Sequence, residues 1–407
     1  MALKRHQKFW EKTIEEWNQK FINFINLNPV EPKYWDWYGL SYSNYVPLQY
    51  IKENLDKSLD WSMISENPNI TIEFIREFII KPLHWTQISA NPAITMKIIK
   101  ENPDLPWCQG GYSCNPNITI KIIKENPDLP WVWKLLSINE SITMKEICDN
   151  PFLPWDWYEI SCYRNMTMDE IKNNFKRFPS LNGISKNPNL SLEFVRKNIK
   201  KPWVWWHISD HPKLTIEFIK EFFDKPWHWY NISKNPAITL KMIKENSVFP
   251  WDWRGICLNP NITIEFIKEN LDKELVWYNI SRNPGITMKM IKENPKFPWI
   301  GSGISKNPNL NIEFVKDSPD NLLFWCEISY HENINMKAIE ENLDLPWEWE
   351  GIYHNQFKDD KKNFIEKKCR EYMAAYKIQE FCKKCYFSPY TKIGKKRLMK
   401  SYDALFE

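Results

Sequence analysis

The sequence predicts an all-α fold, an α-solenoid of 24-residue repeats that alternate a short α-helix with a 3-10 or short helical turn. Three observations carry this reading. Ser41, Ser65, Ser89, Ser113, Ser137, Ser161, Ser185, Ser209, Ser233, Cys257, Ser281, Ser305, Ser329 and Tyr353 stand 24 residues apart without a slip. Most units open on an Asn-Pro pair, and most close on a Pro-Trp-x-Trp segment. A fixed short period is the signature of stacked supersecondary units, each burying its apolar face on its neighbours. Thirteen full units fit between residues 41 and 352, so the chain is read as 1–40 (capping helix and half-repeat), 41–356 (solenoid) and 357–407 (basic helical cap or tail).

The unit Cys257-Leu258-Asn259-Pro260-Asn261-Ile262-Thr263-Ile264-Glu265-Phe266-Ile267-Lys268-Glu269-Asn270 shows the first half. Proline biases Asn259 away from helical geometry and starts a turn. Thr263 stands where an N-cap belongs, and Glu265 lies in the first turn, where the helix dipole favours an acid. Thr71, Thr95, Thr119, Thr143, Thr167, Ser191, Thr215, Thr239 and Thr287 hold the same position. Asn270 stands at the C-cap, as do Asn54, Asn102, Asn126, Asn150, Asn246 and Asn294. A helix of about two turns is unstable alone and must be held by its neighbours.

The second half is exemplified by Pro226-Trp227-His228-Trp229-Tyr230-Asn231-Ile232-Ser233. Proline suits a first helical position because its missing donor is not needed there. Pro226, Trp229 and Ile232 are three apart, which favours a 3-10 or mixed turn.

Comparison of units within the chain separates core from surface. One row holds only β-branched aliphatics: Ile75, Ile99, Ile123, Ile147, Ile171, Val195, Ile219, Ile243, Ile267, Ile291, Val315 and Ile339. It is the expected spine. In the first tryptophan row, from Trp107 to Trp347, the substitutes are Leu59, Leu83, Leu275, Leu323 and Pro179, so burial is expected. The second row accepts Gln109 and Gly301, so partial exposure is expected.

In period and layout, residues 41–352 resemble the leucine-rich repeat variant proteins, although the tryptophan-rich second segment departs from them. That resemblance implies a right-handed superhelix of alternating α and 3-10 helices. The Asn-Pro and Pro-Trp-x-Trp unit, and the tail from Ala374 to Arg397, also resemble repeat proteins of giant DNA viruses of the mimivirus-like group. This implies a virion component or a binder of host proteins, in the virion or the host cytoplasm, and no particular activity.

The flanks read as helices. Phe9, Ile14, Trp17, Phe21 and Phe24 recur at helical spacing and are expected to cover one open end of the array. Residues 358–385 form a charged amphipathic helix, Ser388-Pro389 breaks it, and 391–405 form another, together expected to cap the other end.

Twenty-three tryptophans and 28 prolines, against 10 glycines, are compatible with one elongated array. No run of about 18 apolar residues suggests a membrane span. The N-terminus carries charge and no apolar signal-type core. Nine scattered cysteines fit reduced thiols better than a disulfide framework. Residues 357–407 carry 14 basic against 7 acidic side chains, which leaves the rest of the chain slightly acidic. That argues against a long nucleic-acid groove along the repeats and leaves the tail as an electrostatic contact.

Candidate binding residues follow from the charge rows. Lys100, Lys124, Lys220, Lys244, Lys268 and Lys292 lie on the first helices, and Lys383, Lys384, Lys395, Lys396 and Arg397 lie in the tail. An acidic row that includes Glu101, Glu125, Glu221, Glu245, Glu269 and Glu293 runs beside the lysines. Two such rows read as a mutually neutralised, solvated face, since the acids repel phosphate. Ile378-Gln379 with Lys383 starts an IQ-like motif that Ser388 leaves incomplete. Cys382 and Cys385 lack a second ligand pair for zinc, and His207 and His211 straddle a turn instead of sharing a helix face. The irregular stretches 107–113, 178–183 and 299–303 mark local bends or a docking notch. No cofactor, metal or small-molecule substrate is expected. The expected function is a non-enzymatic scaffold for protein partners; the alternative is nucleic-acid association through the tail and lysine row.

Overall fold

The computed structural model describes residues 2–29, 37–41, 46–163, 165–318, 322–355 and 357–387. It is all-helical, without a strand among those residues. The chain divides into two compact units. One comprises Asn28–Ile334 and Asn342–Asn355; the other comprises Met1–Leu27, Asn335–Glu341 and Gln356–Glu407.

In the first unit, two short helices recur in every repeat. Ile264–Glu269 represents the first kind. Thr263 Oγ1 accepts from Phe266 N at 3.2 Å, and Asn270 Nδ2 donates back to Phe266 O at 2.8 Å, so both ends of one helix are closed by its own flanking side chains. Thr143 and Thr167 form full capping boxes with Glu146 and Glu170. Ser191 departs from its expected role, since its side chain makes no cap bond. Asn311 and Asn335 take the role in their repeats. The whole β-branched row is buried.

The second segment is α-helical, as in Trp229–Lys234. Ile232 N donates to His228 O at 3.1 Å, four residues back, and Asn235 N donates to Ile232 O at 3.1 Å, three back. The turn is thus α with a tightened last bond. The described 3-10 helix is Phe175–Arg177, in an irregular repeat.

The first tryptophan row has a role that its apolar substitutes cannot fill. Trp251 Nε1 donates to Asn246 O at 2.9 Å, and Trp299 Nε1 to Asn294 O at 2.8 Å. Trp131, Trp155, Trp203, Trp227 and Trp347 are buried and Trp107, Trp251 and Trp299 half-buried, while the N–H of Trp251 and of Trp299 meets a carbonyl at the end of the preceding helix. Leu83 and Leu323 keep the burial without a donor. Pro179 is exposed, against expectation. After the 3-10 turn the buried place falls to Phe178, edge-on to Trp157 at 5.7 Å. The second row is mostly half-buried, with Trp61 and Trp205 buried. Its rings meet the first-row ring of the next repeat edge to face: Trp229 and Trp251 at 5.5 Å and 89°, Trp325 and Trp347 at 5.3 Å and 86°. Such pairs add about 0.5–1.5 kcal/mol beyond area burial.

The ends of this array meet. Trp37–Ser41, its first second-segment helix, packs against Trp349–His354, its last. Asn28 Nδ2 donates to Tyr353 Oη at 2.5 Å. Tyr353 occupies the register position that serine holds in most repeats.

In the other unit, Ala2–Ile25 packs against Lys358–Phe387. Phe9 meets Tyr372 at 4.3 Å, Trp17 meets Phe364 at 5.6 Å, and Lys368 Nζ lies 2.5 Å from Glu16 Oε2. The flanking helices, expected at opposite ends of the array, lie side by side. Asp360 Oδ2 accepts from Met336 N at 3.0 Å, which ties in the helix Met336–Glu340. The helix expected over 391–405 lies outside the described residues.

Candidate interaction surface

The most regular polar rows are internal. Ser65 is buried; its Oγ–H donates to Trp61 O at 2.7 Å and its Oγ accepts from His84 N at 2.9 Å in the next repeat. Ser233 likewise accepts from Asp252 N at 3.0 Å, and Cys257 Sγ from Val276 N at 3.3 Å. The asparagine of the Asn-Pro pair does more. Asn259 Nδ2 lies 2.9 Å from Ser233 O, 3.1 Å from Asn235 O and 2.9 Å from Ile238 O, all in the preceding repeat. Its Oδ1 accepts from Asn261 N at 2.9 Å. A primary amide offers two donor hydrogens and a carbonyl acceptor, and this site engages both groups. His211 and His331 replace asparagine in two repeats, and their Nδ1 atoms accept from Lys213 N and Asn333 N, each at 3.1 Å.

The charge rows also join neighbouring repeats. Lys244 Nζ lies 2.5 Å from Glu269 Oε2 and 5.6 Å from the Phe266 ring centre. Lys292 pairs with Asp317 at 2.7 Å and lies 5.5 Å from the Phe314 ring centre. Arg196 does the same with Glu221 and Phe218. The seat needs a Glu-Phe pair at the start of the next helix, as in Glu265-Phe266. Where lysine precedes instead, the acid is paired within its own helix, as in Lys97–Glu101 at 3.6 Å and Lys241–Glu245 at 3.7 Å. Lys244 and Lys292 are therefore engaged across repeats. Lys100, Lys124, Lys220 and Lys268 are exposed on the same row. Lys383 and Lys384 belong to the C-terminal helix, with side chains outside what is described; Lys395, Lys396 and Arg397 lie outside the described residues.

The remaining sequence candidates do not converge. His207 Nε2 faces Asn182 Oδ1 at 3.0 Å, away from the backbone bond that holds His211. No three metal-type side chains cluster among the described residues. Ile378 is exposed. The irregular stretches at 107–113 and 178–183 hold glycines at a close approach between second-segment helices, as Gly255 does in a regular repeat. A Cβ on Gly111 would stand 2.6 Å from Ser89 Cβ, and one on Gly183 2.2 Å from the Ser161 backbone. No helix among the described residues is long and apolar enough to cross a membrane.

What faces outward is a row that the sequence reading passed over. Trp206, Tyr230, Arg254 and Tyr278 stand one per repeat at the second position of successive second-segment helices. Trp206 is 51% exposed. One turn further on, Lys234 Nζ lies 5.5 Å from the Tyr230 ring centre and Arg282 Cζ 5.2 Å from that of Tyr278. His228, Trp229, Tyr230, Asp252, Arg254, Val276 and Asn279 line an open depression of about 650 Å³. Carboxylates border the strip: Asp210 is 3.7 Å from Lys234, Asp252 2.6 Å from Arg254 and Glu327 2.9 Å from Lys306. The visible signal was a column rich in aromatics and cations, hidden beside the more regular tryptophan rows. At the turns between the two helices of a repeat, Ile80, Phe152 and Val248 are 90%, 99% and 89% exposed.

No known protein family, curated protein or solved structure matches this chain.

Proposed function

We propose that this chain is a non-catalytic repeat scaffold that holds protein partners. The observation that supports it is the contrast between its rows. Its regular polar groups are buried and bonded between repeats, whereas Ile80, Phe152 and Val248 project almost fully into solvent. Each stands singly at its loop tip, where it offers a partner an apolar anchor held on a rigid framework. The viral resemblance supplies a setting, a virion component or a binder of host proteins. The nucleic-acid reading is weaker, because Lys244 and Lys292 are already paired with Glu269 and Asp317.

Photo-crosslinking at positions 152 and 248 of the full chain, in a lysate of the cells that make it, tests the proposal. The expected result is one stoichiometric protein adduct, competed away by excess unlabelled chain but not by excess Phe152→Asp/Val248→Asp variant with an unchanged unfolding midpoint. Absence of any stoichiometric adduct at either position contradicts it.

A further inference from the structure

The outward strip on the second-segment helices has chemistry that the loop tips lack. Trp206, Tyr230, Arg254 and Tyr278 follow one another on consecutive helices, and Lys234 and Arg282 lie against the two tyrosine rings. Trp206 contacts His228 of the next repeat edge-on at 6.0 Å, so the strip continues across the repeat boundary. An aromatic face beside a cation recognises a ligand that is apolar and anionic by turns.

We propose that this strip docks an extended acidic segment of a partner protein, one that carries aromatic or small apolar residues between its carboxylates. The proposal rests on the scaffold reading and names the partner's chemistry. Three features select this occupant. Along these helices and the two that flank them, the five cations Lys186, Lys234, Arg254, Arg282 and Lys306 stand against the three carboxylates Asp210, Asp252 and Glu327, so the strip is net positive and an anion is favoured. Packed helices lie about 8–10 Å apart. An extended peptide advances about 3.3–3.6 Å per residue, so about three residues separate one rung from the next. The border carboxylates Asp210, Asp252 and Glu327 repel a chain with a phosphate at every step. They tolerate a peptide whose charges are spaced to meet the cations. A single-stranded nucleic acid, which also stacks on aromatics, is therefore disfavoured.

Fluorescence anisotropy of the full chain with labelled probes decides the matter. The probes are a dodecapeptide of four Asp-Tyr-Gly repeats, its counterpart with Lys for Asp, and a fifteen-nucleotide oligothymidine. The acidic peptide is expected to bind at least about tenfold more tightly than the basic one, with an affinity that falls as salt rises. Lys234→Glu/Arg282→Glu is expected to weaken it about tenfold or more, Trp206→Ala to weaken it less, and Lys100→Glu on the first helices to leave it unchanged. Thermal unfolding of each variant verifies that the array is intact. Equal binding of both peptides, or no effect of Lys234→Glu/Arg282→Glu, overturns the proposal. Tighter binding of oligothymidine, lost in the same variant, overturns it in favour of nucleic acid. If no peptide binds while the adduct at position 152 persists, the strip proposal falls and the scaffold reading stands. If that adduct is also absent, both fall.

Discussion

Asn28 Nδ2 donates a hydrogen bond to Tyr353 Oη at 2.5 Å, joining residues 325 apart in the chain. Both groups are buried. The bond exists because the last register position carries tyrosine, whose long side chain reaches across, while Trp37–Ser41 packs against Trp349–His354 beside it. Tyr353→Phe keeps the ring and removes the acceptor from Asn28, at a cost of about 1–3 kcal/mol for a buried donor. Amide hydrogen exchange should accelerate in residues 37–41 and 349–355 and stay unchanged around 209–260. A uniform change along the array would contradict the local role of this bond.

Trp251 tests why the first row favours tryptophan. Its Nε1 donates to Asn246 O at 2.9 Å. Trp251→Phe retains an aromatic ring but removes one of two donors to that carbonyl, which keeps Phe249 N at 3.0 Å. A loss of about 1–2 kcal/mol is expected from urea unfolding, whereas Leu275→Phe, at a position with no donor to lose, should change stability less. Equal losses would show that ring volume alone sets the preference.

The two histidines of the asparagine row predict an acid-sensitive array. Burial pushes the pKa values of His211 and His331 below their ordinary 6.5, and each Nδ1 must stay unprotonated to accept from Lys213 N or Asn333 N. A base with a depressed folded pKa binds fewer protons folded than unfolded. Its contribution is therefore complete above pH 6.5 and falls away as the pH drops through the folded pKa values. His211→Asn/His331→Asn, which restores the amide, should flatten the acid limb of a stability-versus-pH curve between pH 7 and roughly 5. An unchanged limb would assign it to other groups.

Cys257 is the row's one described thiol in place of serine, buried, with Val276 N at 3.3 Å from Sγ. Cys257→Ser supplies a stronger acceptor of similar shape. Stability should hold or rise by about 0.5 kcal/mol, measured by urea unfolding. A clear loss would mean that the site is tuned to the larger atom.

The repeat was legible because each of its signals is local and recurs. The period, the threonine caps and the β-branched spine all follow from residues within one unit, whereas the first tryptophan row is buried only in part, with Trp107, Trp251 and Trp299 half-buried. Ser191 departs from the pattern because its residue type permits a cap that its side chain does not make. Spacing marks the serines as a register and the Asn-Pro pair as a turn, and neither reveals a bonding role. Their bonds reach 19 to 26 residues along the chain, and spacing alone does not say whether such a group meets water or the next repeat. The meeting of the array's ends was less legible still. It depends on small rotations per repeat, accumulated over the whole array, and a single departure, Tyr353, marks it in the sequence. The outward strip was missed because its residues vary between aromatic and cationic, which lowers periodicity where function is sought.

The regular polar rows hold the array together, while the variable outward row, proposed above as a docking strip, contributes little to stability. Thermal unfolding of Asn259→Ala beside Arg282→Glu tests this division most directly. Asn259 bonds to three carbonyls of the preceding repeat, whereas Arg282 lies on the surface against Tyr278. The account predicts a clearly lower midpoint for Asn259→Ala, reflecting about 3 kcal/mol, and an unchanged midpoint for Arg282→Glu. Equal midpoints, or a lower one for Arg282→Glu, would contradict it.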